Sequence, residues 1–183
     1  CSTNNLPQGA SMAKKDWKAK AKALKKQLKA LAAPAAPAKV AKPVSPLAPA
    51  SFPVLPRIAG VEFAAVEAGI KYANRKDVML VRLAPGTAIA GSFTRSTTRS
   101  ACVRDCQAKL AMKVVGDVGA AIVVNSGNSN AFTGKIGDQA VAAVTEGVAQ
   151  ALGIPASRVF SSSTGVIGEP LPYTKITDKI GDL

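Results

Sequence analysis

The chain contains no histidine. That removes the commonest general base and the commonest metal ligand from its chemistry. Aromatic residues make up only 4%, so a core has to be assembled from Ala, Val, Ile and Leu. Cysteine is scarce: Cys1, Cys102 and Cys106. Three scattered thiols with no histidine near them do not form a metal-ligand cluster. Their odd number, with no secretory signal, argues against a disulfide framework and for a reducing, cytoplasmic compartment. Cys102 and Cys106 lie four residues apart, on one face if helical, and read as small buried packing residues. No apolar run approaches the roughly 20 residues of a membrane span, so no membrane partner is expected. The first 50 residues hold no arginine, unlike Arg-rich organelle transit peptides.

What is present is unevenly distributed. Of the formal net charge of +13, residues 1–50 carry +9, from 10 Lys against the single acid Asp16. Residues 51–183 carry the remaining +4. The later part therefore shows no nucleic-acid footprint of its own. Met12-Ala-Lys-Lys reads as a translation start, which sets residues 1–11 apart as extra N-terminal residues. Residues 12–31 read as a basic helical extension, with Asp16 as a cap and Trp17, Leu24, Leu28 and Leu31 sharing one side. Residues 32–55 form an Ala/Pro linker. Seven prolines between Ala32 and Pro56 prevent a helix and favour extended chain. The folded domain spans 56–183, long enough for one hydrophobic core.

Within that domain the fold class reads as α+β. Val61–Ile70 alternates weakly. Val78–Leu83 is a strand pattern, and after the Pro85-Gly86 turn Ala88–Thr94 is a second strand, the two suggesting an antiparallel pair. Ser100–Met112 reads as a helix capped by Ser100. The apolar run Ala120–Val124 predicts a buried strand, followed by a loop over Asn125–Thr133. Asp138–Leu152 is the clearest helix, with Gly153 at its C′ position and Pro155 blocking continuation. Arg158–Phe160 is a short strand that leads into a Ser161–Gly168 turn. Tyr173–Ile180 begins a further helical pattern.

Two stretches carry chemistry. In Ser161-Ser162-Ser163-Thr164-Gly165-Val166-Ile167-Gly168, the Thr164 hydroxyl and the Gly165 N–H are able to donate together to one developing oxyanion, the central electrostatic need of acyl transfer. The same residues also fit a plain Ser/Thr-rich turn. The second stretch is Val124-Asn125-Ser126-Gly127-Asn128-Ser129-Asn130-Ala131. With Ser163–Gly168 and Leu171-Pro172, it resembles the ornithine acetyltransferase family of arginine biosynthesis, the bifunctional glutamate N-acetyltransferases. Ser129 is the one departure, where the family has Ala. Weaker echoes are Ile58–Val61, Ala68–Lys71, Arg75-Lys76-Asp77 and Gly91–Thr94, so the resemblance runs from about Pro56 onward.

The resemblance implies a layered α/β sandwich of the self-processing type, here an incomplete α-side portion. It implies acetyl transfer from N-acetylornithine to glutamate by a ping-pong route, with Thr164 and Gly165 as the oxyanion hole and no metal or prosthetic group. Some members also accept acetyl-CoA, which stays open as a co-substrate. The family's nucleophile is a threonine freed by self-cleavage. Thr174 and Thr177 lack its flanking residues, so the nucleophile is expected from a missing downstream α segment and β chain, in a heterotetramer. A self-processing amidase or aminopeptidase relative and a non-catalytic basic interaction fragment are the alternatives.

Overall fold

A computed structural model describes residues 14–31, 46–114 and 116–183. The chain divides into two compact units, Cys1–Val54 and Leu55–Leu183. In the first, helix α1 spans Lys14–Leu31. Asp16, expected to cap it, falls inside its first turn. Trp17 and Leu24 are exposed. Most of the Ala/Pro linker, together with Cys1, lies outside the described residues.

The second unit is built on one four-stranded sheet in the order β1-β2-β3-β4. The strands are β1 Val61–Val66, β2 Val78–Leu83, β3 Ala120–Asn128 and β4 Val159–Val166. β1 pairs antiparallel with β2, and β2 antiparallel with β3. β3 and β4 run parallel, joined by helix α3, Gly134–Leu152. A parallel neighbour needs such a crossover, and the 3.6-residue apolar repeat of Val141, Val144 and Val148 provides it. Gly153 ends α3 in the left-handed region, φ 64, as its C′ position requires.

Alternation decides which face is covered. Val78, Leu80, Ala121, Val123 and Val159 point to one face. There they form a single buried cluster with Ala140, Val144, Val148, Leu171 and Ile176. Helix α2, Ala101–Leu110, packs against strand β4 and helix α3. Its Cys106 Sγ donates to the Ser161 carbonyl at 3.3 Å, and Ala101 and Cys102 pack on Val141. Both cysteines are buried and unpaired, as packing residues should be. On the other face Phe63 is 67% and Met79 38% exposed. No helix of the described residues is long and apolar enough to cross a membrane.

Four expectations need correcting. Ala88–Thr94 is not a strand: both edges of β2 are already taken, by β1 and β3. The antiparallel partner of β2 is Val61–Val66 instead. Strand β3 runs on through Asn125–Asn128, and β4 through Ser161–Val166, where a loop and a turn were expected. Side-by-side pairing supplies the ladder hydrogen bonds that composition alone did not promise. Ser100 occupies the N-cap of α2 but makes no side-chain cap bond. The C-terminal helical pattern is a single turn, α4 Thr174–Thr177, followed by a 3-10 turn at Ile180–Asp182.

Candidate active site

Three segments meet where β3 and β4 end. They are the β1–β2 loop Glu67–Asp77, the Asn125–Gly134 stretch, and Ser163–Leu171. The register sets Asn125 beside Ser163, Ser126 beside Thr164, and Gly127 beside Gly165. The two motifs, nearly 40 positions apart in sequence, are therefore adjacent strands. The pairing slips at Asn128, which faces both Thr164 and Val166. This bulge sits at the two residues expected to form the oxyanion hole, and bulges commonly re-aim side chains at such places.

Asparagine amides tie the two strands together. Asn125 is 4% exposed. Its Nδ2 donates to the Asn128 carbonyl at 2.9 Å, and its Oδ1 accepts from Ser163 Oγ at 2.5 Å. Cys102 Sγ lies 3.1 Å from the same Ser163 Oγ. Asn128 Nδ2 donates to the carbonyls of Glu169 and Pro170, at 3.0 and 3.2 Å. The backbone N–H and the hydroxyl of Ser129 both donate to the Val166 carbonyl. Asn130 is fully buried and holds the start of α3: its Nδ2 donates to the Gly137 carbonyl, and its Oδ1 accepts from Thr133 Oγ1. Each amide thus anchors backbone, and the amide-rich composition has a structural use.

Thr164 and Gly165 are both exposed on β4. Because side chains alternate, Thr164 emerges on the open face with Ser126 and Ser162, whereas Ser163 points to the helix-covered face. Gly165 has φ 137 and Gly127 φ 103, conformations that side chains rarely adopt. Thr164 and Gly165 are thus exposed residues on a braced backbone.

The β1–β2 loop is pinned from within. Asp77 is buried, and its two carboxylate oxygens accept from Ala68 N at 2.7 Å and Ile70 N at 2.6 Å. Ser126 N donates to the Asp77 carbonyl at 2.9 Å, which joins this loop to β3. Lys71 Nζ pairs with Glu169 at 3.1 Å. Arg75 Nη2 donates to Ser126 Oγ at 2.7 Å. Sequence reading missed these links, although Arg75-Lys76-Asp77 was among its weaker echoes. Burial pushes the Cys106 thiol above its usual range, with Asp105 and Cys102 adding, so it stays neutral.

Among the described residues, no group of three or more His, Cys, Asp or Glu side chains is placed to hold a metal ion. A cavity of about 250 Å³ lies at the opposite end of the strands, lined by Gly60, Leu83, Gly119, Leu152 and Ile154. Its charged lining residues, Glu62 and Arg82, pair with each other, and it lies away from Thr164.

Comparison with known proteins decides the family. The ArgJ family model matches residues 62–183. The chain belongs to the ArgJ family. The resemblance carried by the two motifs therefore holds. The arginine biosynthesis bifunctional protein ArgJ of Ruegeria pomeroyi is 60% identical over 134 residues, 73% of this chain and 32% of that protein. Its Bradyrhizobium diazoefficiens counterpart is 50% identical over 131 residues, 72% and 31% respectively. The chain thus spans about a third of the length of the curated relatives it matches. The crystal structure of ornithine acetyltransferase complexed with ornithine from Mycobacterium tuberculosis superposes with a TM-score of 0.62 at 37% identity, covering 68% of this chain and 66% of that one. ArgJ from Bacillus halodurans gives 0.59 at 33%, covering 67% and 62%. The mixed α+β unit with its four-stranded sheet matches these ArgJ structures.

Proposed function

We propose that this ArgJ chain forms the oxyanion-binding part of an acetyltransferase that moves an acetyl group from N-acetylornithine to glutamate, in the cytoplasm. Thr164 Oγ1 and the Gly165 N–H stabilise the charge that develops on the acetyl oxygen as the amide is attacked. The observation that carries this reading is the Asn125–Asn128 brace beside Thr164 and Gly165, which holds both residues exposed at the end of β4. Preorganised donors of this kind spend little reorganisation energy when charge forms.

The nucleophile is a threonine supplied from the part of the relatives' length that this chain does not span. Thr174 and Thr177 do not serve: they sit on the one-turn helix α4, where Thr177 Oγ1 donates to the Thr174 carbonyl. With no histidine in the chain, a hydroxyl here lacks the usual activating base, and a freed N-terminal amine fills that place. The open sheet face bearing Phe63 and Met79 fits a second layer, contributed by a downstream segment and a β chain in a heterotetramer. The reading requires no metal or prosthetic group, and it admits acetyl-CoA as a second acyl donor. Residues 56–183 form the catalytic portion, and residues 12–55 are dispensable to it.

The test is ornithine release from N-acetylornithine plus glutamate by the protein as its host makes it. Thr164→Ala should lower kcat by about 10²–10³, the usual effect of losing one oxyanion donor, with the fold intact by circular dichroism. A full acetyl-transfer rate in the folded variant removes Thr164 from the site.

A further inference from the structure

Of the three cations on the β1–β2 loop, Lys71, Arg75 and Lys76, Arg75 reaches Ser126, the register partner of Thr164. The carboxylates around this loop already have partners. Glu67 Oε1 accepts from Asn74 N at 2.5 Å. Both oxygens of Asp77 accept from backbone N–H groups, and Glu169 pairs with Lys71. Among the described residues Arg75 has no carboxylate partner. Its guanidinium is nonetheless held in place. Nη2 donates to Ser126 Oγ at 2.7 Å, and the Cζ atom stands 5.2 Å from the Tyr72 ring centroid, within cation–π range.

Position gives this cation its meaning. Ser126 is the register partner of Thr164, and both side chains leave the sheet on its open face. Arg75 is therefore one side chain away from the acyl-binding threonine. A guanidinium carries five N–H donors in a planar fork shaped for a carboxylate. Here one of them meets a neutral hydroxyl, and the rest have no anion.

We propose that Arg75 receives the carboxylate of the amino acid whose acetyl group is bound at Thr164. The inference rests on the acetyltransferase reading above. An N-acyl amino acid has its carboxylate only a few bonds from the acyl carbon, so a cation one side chain from Thr164 is in reach of it. The phosphates of acetyl-CoA lie at the far end of a long arm and do not suit this place. The loop's internal pins keep Arg75 from having to be ordered on binding, which preserves affinity.

The experiment compares N-acetylornithine with its carboxamide analogue, using the protein as its host makes it. Charge-assisted hydrogen bonds of this kind are worth about 10–100-fold in affinity. Wild type should prefer the carboxylate over the carboxamide by at least about tenfold in kcat/KM. Arg75→Gln should bring that ratio near one, chiefly by raising KM for the carboxylate, and Arg75→Lys should restore part of it. An unchanged ratio in Arg75→Gln overturns the inference and leaves the acetyltransferase reading standing. Equal losses on both substrates also overturn it, because they mark Arg75 as structural. A loss confined to acetyl-CoA overturns it in favour of a phosphate contact. No acetyl transfer by wild type removes the reading beneath, and the inference with it.

Discussion

The two faces of the sheet differ in how far they are covered, although Val81 and Phe160 are buried on the more open one. On the covered face, Val123, Val148 and Val159 are at most 2% exposed, and helices α2 and α3 seal it. On the open face, the row Ala65, Met79, Val124 and Ser162 runs across all four strands, and three of these four residues are exposed. Buried packing is concentrated on one side, and the proposed oxyanion donor Thr164 lies on the other. Thr164 emerges on the open side, while Ser163, one residue earlier, is bonded on the covered side. A single strand therefore links the brace to the exposed donor. Rigidity is borrowed from the core without burying Thr164, which suits the preorganised site proposed above.

Substitutions that touch one face at a time can break or sharpen this contrast. The largest effect on stability should come from the covered face. Val148→Ala removes two buried methyl groups at a site with no solvent exposure. It should destabilise the domain by about 2–3 kcal/mol, read as a shift in the urea midpoint at unchanged slope. A shift no larger than that of a surface variant would show that α3 does not close the core.

Asn125→Ala should rank second, at about 1–2 kcal/mol, because it removes the acceptor of the Ser163 hydroxyl and strands the Asn128 carbonyl. Its sharper readout is the Gly165 amide resonance. If Asn125 braces β3 to β4, that resonance should move more than those of β1 and β2. A variant that loses stability while Gly165 stays fixed would confine Asn125 to the core.

Met79→Ser on the open face should be smallest, within about 0.5 kcal/mol in thermal melts of this chain. A large loss there would mean that the face is already covered, against the contrast drawn here.

The covered face was legible in the sequence because its signals are local. The run Ala120–Val124 and the repeat through Val141, Val144 and Val148 each fix one element without knowledge of its neighbours. The motif residues were legible only as a resemblance. Nothing local says that Ser161–Val166 is a strand: Ser, Thr and Gly read as a turn, and only the parallel partner β3 makes it extended. The same holds for Asn125, which reads as part of a loop in sequence but bonds Ser163 and Asn128 within the sheet. Ala88–Thr94 fails in the opposite direction. It has a strand's composition, but the sheet offers it no edge beside β2. The brace and the Arg75–Ser126 contact join residues 38 and 51 positions apart, a separation at which pattern carries no information.

The close contact between Gly127 and Gly165 reaches beyond this molecule's mechanics. A Cβ at Gly127 would stand 2.9 Å from the Cβ of Lys71, and one at Gly165 would stand 2.5 Å from Asn128 N. Neither position can therefore drift freely. A replacement at Gly165 collides with the backbone of the neighbouring strand, and one at Gly127 collides with the loop that carries Arg75. A path away from glycine must part the β3–β4 seam at Gly165 or lift the Lys71 segment at Gly127. Along such a path the intermediates lose the fold before they gain anything. These two columns should stay glycine in the chain's descendants long after the surrounding serines have been exchanged.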